Sequence, residues 1–243
     1  QQADCQLGCA GTLRVGPLVD GWFLPKPPRE IFAEGAQSDV PILVGFTRED
    51  IGNTSPLGQA KTVAEYQAKA RQLYGDRAEG FLKLYPVKTD ADIARVAGEA
   101  GRDGGMQQGM RNYAAVQVKS GMAPAYVYMF SRKHPYVADP KLADQDPRTI
   151  GAYHTSDVPY WFGNQDIYNW LRPTRAWTPW DRELSDHMSD AIVAFAKTGD
   201  PSIPAVAWPR YDPKHEQLVE FGDSIRVQPM NTRRLDFLAS APA

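Results

Sequence analysis

The chain of 243 residues has little of what metal sites, membrane spans and nucleic-acid interfaces require. Its two cysteines, Cys5 and Cys9, have no histidine nearby, which favours a thiol pair or a short disulfide over a zinc site. No apolar run approaches the roughly 20 residues that span a bilayer, and the first residues do not resemble a signal peptide, so we expect no membrane association. The net charge of -2 comes from interspersed acids and bases. We therefore expect no nucleic-acid partner.

The rest of the composition, 42% hydrophobic and 23% charged, is that of a globular domain or a substantial part of one. Three segments predict strands. Val40–Phe46 is a short apolar run typical of a strand buried on both faces, Ala125–Phe130 is rich in aromatic residues, and Gln217–Phe221 is expected at a sheet edge. Helical patterns separate these segments, and this alternation predicts an α/β fold with a mainly parallel sheet.

Capping signals mark several of the helices. Thr178 precedes a proline and is followed three residues later by an acid, which predicts the start of a long helix that Gly199 ends. A similar capping box begins at Thr62. Further helical patterns cover residues 90–100 and 106–120, and the intervening glycines are expected to separate them into two helices.

The most informative segment is residues 151–163, Gly-Ala-Tyr-His-Thr-Ser-Asp-Val-Pro-Tyr-Trp-Phe-Gly, which contains His154, one of only four histidines. It has no clear helical or strand period, and its aromatic residues argue against disorder. Long ordered loops in compact domains are usually functional. The chain reaches this loop from the strand Ala125–Phe130, whereas Glu49 and Asp50 follow the first strand. We therefore expect an acid and an imidazole to meet above the same edge of the sheet.

Four segments resemble the C-terminal half of a type-B carboxylesterase, the cholinesterase-like branch of the α/β-hydrolases. They are Val19–Pro25, Val40–Asp50, Gly151–Gly163 and Phe195–Pro201. The resemblance runs from about Gly16 to Phe237. It implies an α/β-hydrolase fold, with the C-terminal portion of the mainly parallel sheet and flanking helices. It also implies that residues 1–243 are the C-terminal part of a single catalytic domain whose nucleophile-bearing N-terminal half is absent from this chain.

The resemblance also implies roles for individual residues. His154 matches the family's catalytic histidine, and Asp50 matches its catalytic acid by position. The family pattern has a glycine after the acid where this chain has Ile51, which leaves Glu49 as an alternative acid. Neither a metal nor a cofactor is implied.

Substrate contacts are expected from residues near these two positions. Asn53 and Thr54 match the segment that lines the family's pocket and would make its wall polar. Trp161 is the first aromatic residue to test as a substrate contact, because it follows the histidine closely, although the tryptophans of this region are more often core residues. The implied substrate is a small-molecule ester.

A nucleophile is the main element that the sequence lacks. None of its ten serines lies in a G-x-S-x-G motif. The resemblance therefore implies an esterase component that uses a serine from a companion N-terminal half. The alternative is a non-catalytic, cholinesterase-like binding module. A self-sufficient hydrolase that uses Ser55 or Ser156 is a weaker third possibility.

The remaining candidates have plainer interpretations. We interpret His134, His187 and His215 as non-catalytic, because two adjoin prolines in turn-like stretches and one lies beside the apolar face of a helix. Asp157 is expected either to support the site or to cap the turn after His154. The compartment stays open, with secretion or the periplasm compatible with the resemblance.

Overall fold

A computed structural model describes residues 18–50, 55–139, 141 and 144–240. The chain divides into two compact units, residues 1–38 and 39–243. The described part of the first unit contains one short helix, α1 (Pro28–Ala33), which has a proline in its first turn and buries none of its side chains. The predicted cysteine pair, Cys5 and Cys9, lies outside the described residues. Within the described ranges, no helix is long and apolar enough to cross a membrane.

The second unit contains a sheet of four strands in the order β1 (Ile42–Thr47), β2 (Ala125–Phe130), β3 (Gln217–Phe221) and β4 (Ile225–Pro229). Strands β1, β2 and β3 are parallel, and β4 returns antiparallel to β3. The predicted α/β class and mainly parallel sheet are therefore confirmed.

Two predictions about individual strands are wrong. Strand β3 is not at the edge of the sheet, because β4 pairs along its outer side. Strand β1 is not buried on both faces. Only Phe46 and Thr47 are buried, and the other residues of the strand are half-buried, because β1 pairs with β2 alone in the part of the chain that is described.

Helices cover both faces of the sheet and form a further layer beside it. In chain order they are α2 (Val63–Tyr74), α3 (Ala78–Leu84), α4 (Ile93–Arg102), α5 (Gln108–Ser120), α6 (Val158–Trp161), α7 (Pro179–Thr198) and α8 (Thr232–Ala239). The cap predictions are confirmed. The hydroxyl of Thr178 accepts a hydrogen bond from the Asp181 N–H at 3.2 Å, and Gly199 ends α7 in the left-handed conformation, with φ +76°.

The predicted break between α4 and α5 is absent. Residues Asp103–Gln107 form a π-helical turn that joins the two helices. The turn is held by Asp103, which is buried and accepts hydrogen bonds from the Tyr85 hydroxyl at 2.9 Å and from the Arg102 guanidinium. These contacts outweigh the low helix propensity of the glycines, which costs about 1 kcal/mol for each residue.

Strand β2 is the centre of the core, and its side chains alternate between the two faces. Tyr126 and Phe130 pack with Leu184 and Met188 of α7, whereas Val127 and Met129 face the layer that includes Ala114 of α5. Each fully buried side chain of this size contributes about 1.5–3 kcal/mol. The packing fixes where β1 and β2 end, and both ends lead into the candidate site.

Candidate active site

Glu49 joins the end of β1 to the loop that contains His154. Its N–H donates to the Ala152 carbonyl at 2.9 Å, and the Ala152 N–H donates to Glu49 Oε2 at 2.8 Å. The other carboxylate oxygen, Oε1, accepts from Arg48 Nε at 3.0 Å. Because both oxygens of Glu49 bond to these neighbours, the structure places this carboxylate in the support of the loop rather than against His154.

Gly151 is required where the loop crosses this carboxylate. Its φ of +63° is in the left-handed region, and a Cβ atom at this position would lie 2.6 Å from Glu49 Cγ and 2.7 Å from Cδ. Glycine alone allows both the backbone conformation and the close approach. The glycine at the start of the loop therefore allows Glu49 to bond to Ala152.

Asp50 and His154 are brought together. Asp50 Oδ1 lies 2.5 Å from His154 Nδ1, and the Asp50 side chain is only 8% exposed. The second oxygen, Oδ2, accepts from the Thr47 N–H at 3.4 Å. A carboxylate on Nδ1 makes that nitrogen the donor and leaves Nε2 as the basic position of the neutral ring. The side chain of His154 is 71% exposed.

A tight turn presents His154 to the acid. The Ser156 N–H donates to the Tyr153 carbonyl at 2.9 Å, which places His154 and Thr155 at the two central positions. Thr155 has φ +67°, the conformation that the second central residue of a type II turn adopts. Glycine or asparagine is usual there, and a β-branched residue costs about 1–2 kcal/mol. Strain of this kind concentrates at functional sites.

Asp157 holds the aromatic residues beyond the turn. Its Oδ2 accepts from the Tyr128 hydroxyl at 2.9 Å and from Trp161 Nε1 at 3.1 Å. Burial raises the pKa of Tyr128, so this phenol is a neutral donor. Asp157 makes no side-chain capping bond to α6, so the predicted capping role is wrong. Trp161 is partly buried and packs against Tyr128 and Phe221, with ring centroids 5.1 and 5.7 Å away.

The other candidates from the sequence lie outside this geometry. Asn53 and Thr54 lie outside the described residues. Ser55 accepts a hydrogen bond from the Leu57 N–H, as the N-cap of a short 3₁₀ turn. Ser156 is fully buried, which prevents it from reaching a substrate in this conformation. Among the residues that are described, no cluster of histidine, cysteine, aspartate and glutamate could hold a metal ion.

The sequence did not indicate that His134 contacts the turn of His154. His134 is buried, and its Nε2 lies 2.8 Å from the Ser156 carbonyl. Its Nδ1 lies 3.1 Å from Arg175 Nε and 3.2 Å from the Tyr153 hydroxyl. Burial lowers the pKa of His134 to about 4. The proline beside it indicated only a turn, because its partners are 19 to 41 residues away in sequence.

Comparisons with known proteins identify the family to which this chain is similar. The model of a family described as "Carboxylesterase family" matches residues 2–238. Fumonisin B1 esterase of Sphingopyxis macrogoltabida is 28% identical over 217 residues, which are 87% of this chain and 37% of that protein. Para-nitrobenzyl esterase of Bacillus subtilis (strain 168) is 29% identical over 215 residues, which are 87% of this chain and 40% of that protein.

The fold is also similar to that of a solved structure. A structure of PNB esterase matches 91% of this chain with a TM-score of 0.60 and 26% sequence identity, and the match covers 43% of that chain. The chain therefore spans about two fifths of the length of the relatives that it matches.

Proposed function

Since this chain belongs to the carboxylesterase family, whose model matches residues 2–238, we propose that it supplies the base and the acid of a serine esterase. In this proposal His154 is the general base and Asp50 orients it. The observation that carries the proposal is the 2.5 Å contact between Asp50 Oδ1 and His154 Nδ1 at the carboxyl ends of β1 and β2. The predicted family and the α/β-hydrolase fold are confirmed by the comparisons.

The chemistry follows from which nitrogen is basic. With Nδ1–H bonded to Asp50, Nε2 of His154 accepts the proton of a serine hydroxyl as its oxygen attacks the ester carbonyl. The resulting imidazolium is stabilised by the Asp50 carboxylate. Nε2–H then donates that proton to the departing alcohol oxygen, leaving an acyl-serine. Water then attacks the acyl-serine while Nε2 takes its proton. The carboxylic acid product leaves, and Nε2–H returns the proton to the serine oxygen.

The serine in this scheme comes from a companion N-terminal half. The match covers 37% to 43% of the relatives' lengths, and none of the ten serines of this chain lies in a G-x-S-x-G motif. Residues 1–243 would then be the C-terminal part of a single catalytic domain. The oxyanion donors, worth about 3–4 kcal/mol each in comparable hydrolases, would come from the same companion half.

The two edges of the sheet support this companion. Strand β4 has an exposed arginine, Arg226, and ends at Pro229, and both are features that protect a natural edge. Strand β1 has neither: its sequence is Ile-Leu-Val-Gly-Phe-Thr, and within the described residues it pairs on one side only. An apolar strand edge without such protection is normally paired or covered in a native protein. The outer edge of β1 is therefore the side that suits an additional strand from the companion half.

A second surface supports the same partner. Four large apolar side chains at the end of the His154 loop and after it are exposed: Phe162, Ile167, Trp170 and Leu171. Exposed apolar groups concentrated in one short segment are typical of an interaction surface.

Kinetics of the complete protein test the proposal. His154→Ala and Asp50→Asn are each expected to lower kcat/KM for a p-nitrophenyl ester by about 10³-fold or more, because they remove the base or its orienting partner. Glu49→Gln is expected to have a much smaller effect, since this side chain holds the loop rather than the imidazole.

The chain offers a matched control for this experiment. His215 and Asp212 form an exposed histidine–aspartate pair at 3.0 Å. This pair is far in sequence from the ends of β1 and β2, which lead to the candidate site. His215→Ala and Asp212→Asn should leave turnover unchanged. Wild-type turnover in both His154→Ala and Asp50→Asn would refute the esterase proposal and favour a non-catalytic binding module.

The substrate is proposed only at the level of a small-molecule carboxylic ester. Asn53, Thr54 and Trp161 remain the proposed substrate contacts. The indole N–H of Trp161 donates to Asp157, so a contact with substrate would use the face or edge of its ring. Trp161→Phe tests this: KM should rise while kcat is nearly kept.

A further inference from the structure

One buried imidazole bonds to both ends of the turn that contains His154. Nε2 of His134 lies 2.8 Å from the carbonyl of Ser156, the last residue of the turn. Nδ1 lies 3.2 Å from the hydroxyl of Tyr153, the first residue of the turn. The turn is strained at Thr155, so its conformation depends on the contacts that hold its two ends. His134 supplies such a contact at each end.

Arg175 determines which nitrogen of His134 bears the proton. A guanidinium can only donate, and Arg175 Nε lies 3.1 Å from His134 Nδ1, so Nδ1 is an acceptor and Nε2 carries the hydrogen. Nε2–H therefore donates to the Ser156 carbonyl. Arg175 is itself fixed: its guanidinium pairs with Asp144 at 2.7 Å and lies 3.9 Å from the centre of the Tyr136 ring.

The surroundings of His134 favour the neutral ring. Four aromatic rings pack around it with centroids 5.1 to 5.9 Å away, those of Tyr153, Tyr160, Tyr168 and Trp177. The charged groups that act on it are Arg175, Asp144 and Asp181, and each of these carboxylates is paired with an arginine. Burial among the rings is the largest cause of its lowered pKa, and Arg175 lowers that pKa further.

We propose that His134 is a positioning residue, whose Nε2–H bond to the Ser156 carbonyl keeps His154 Nδ1 directed at Asp50. This inference rests on the proposed esterase function for its kinetic consequence, but the geometric claim is independent of that function. His134 lies below the turn and would touch neither substrate nor serine. Its effect on turnover is therefore expected in kcat rather than in KM, because misplacing a reacting group by about 1 Å can cost about 10²-fold in rate.

Two amide substitutions separate positioning from general stability. In His134→Gln the side-chain N–H₂ can take the place of Nε2–H and keep the bond to Ser156. In His134→Asn the shorter amide reaches the position of Nδ1 and loses that bond. Both variants place an amide in the same buried site, so they are matched in polarity. In the complete protein we expect kcat to fall about 10- to 100-fold in His134→Asn and less than about 5-fold in His134→Gln, with KM nearly constant in both. His215→Gln is the control.

A spectroscopic measurement does not depend on turnover. In protein with ¹⁵N-labelled histidine, the proton in the short Nδ1–Asp50 bond should give a strongly downfield resonance, assigned by its loss in His154→Ala. We expect this resonance to persist in His134→Gln and His215→Gln and to be lost or broadened in His134→Asn. An unchanged resonance in His134→Asn, or its equal loss in both amide variants, would overturn the inference.

The kinetic and the spectroscopic measurements together distinguish a failure of this inference from a failure of the esterase proposal. If His154→Ala retains turnover, the esterase proposal is wrong, and the resonance alone decides whether His134 positions the turn. If His154→Ala loses turnover while the two amide variants have equal kcat values, the esterase proposal stands and the role of His134 is refuted. If neither amide variant folds, the labelled wild-type protein decides: the ¹⁵N resonances of His134 should show its proton on Nε2, and a proton on Nδ1 would refute the bond to the Ser156 carbonyl.

Discussion

Replacing Gly151 by alanine tests how the loop of His154 is attached to β1. The added methyl group would lie 2.6–2.8 Å from the Cγ, Cδ and Oε2 atoms of Glu49. Such distances are too short for van der Waals contact, so the carboxylate would have to rotate away. It would then lose its bond from the Ala152 N–H, and the loop that leads to His154 would lose its attachment.

The magnitude has two parts. Alanine at φ +63° costs about 1–2 kcal/mol in the folded state, and the reduced freedom of the unfolded chain offsets about 0.4–1 kcal/mol of this. Loss of the charged hydrogen bond to Glu49 adds about 1–2 kcal/mol. This cost lies toward the lower end of the usual range for hydrogen bonds to charged groups, because Glu49 is about one third exposed. We therefore expect Gly151→Ala to lower the free energy of unfolding by about 1–3.5 kcal/mol, with a central value of about 2 kcal/mol.

Gly163 provides the matched control. Its φ is +60°, but nothing lies within 4 Å of the Cβ position, so Gly163→Ala should cost about 1 kcal/mol. Urea unfolding of both variants measures the difference. If Gly151→Ala is no more destabilising than Gly163→Ala, Glu49 does not approach Gly151 as closely as the structure indicates. The contact also predicts that Gly151→Ala costs less in a Glu49→Ala background than in the wild-type background.

Two further predictions concern stability. Folding lowers the pKa of His134 from 6.5 to about 4, so the unfolded chain binds more protons than the folded chain between these pH values. The neutral His134 therefore contributes about 3 kcal/mol to the free energy of unfolding at pH 7. This contribution should be lost progressively as the pH falls from 6.5 to 4. Urea unfolding of wild type and His134→Gln should show a steeper loss for wild type, and parallel curves would contradict this. Thr155→Asn should raise the free energy of unfolding by about 0.5–1 kcal/mol, because asparagine tolerates a φ of +67° better than threonine; a decrease would contradict it.

Much of the framework could be predicted because its signals are local. Strand β2 has the predicted bounds, and α7 begins and ends at the predicted caps, Thr178 and Gly199. The closeness of Asp50 and His154 was also expected, because parallel strands deliver their following residues to one edge of a sheet. In each case a few neighbouring residues, or the order of two strands, are sufficient to predict the feature.

The rest depends on contacts between residues that are distant in the sequence. The glycines near Asp103 continue a helix because a buried carboxylate is held by Tyr85, 18 residues earlier. Strand β4 was missed although Ile-Arg-Val-Gln alternates apolar and polar residues, because the alternation is short and ends at a proline. Its pairing with β3 completes the strand. The proline beside His134 predicted only a local turn. The fold alone brings Arg175 and both ends of the turn that contains His154 to the ring of His134.

We propose that this chain supplies His154 and Asp50 to a serine that lies outside it. The most direct measurement is labelling of the complete native protein with a fluorophosphonate probe, followed by mass spectrometry of the labelled peptide. We predict a label on a serine outside these 243 residues, at a rate that falls by about 10³-fold or more in His154→Ala. A label on any of the ten serines of this chain, or labelling that is equally fast without His154, would contradict the account.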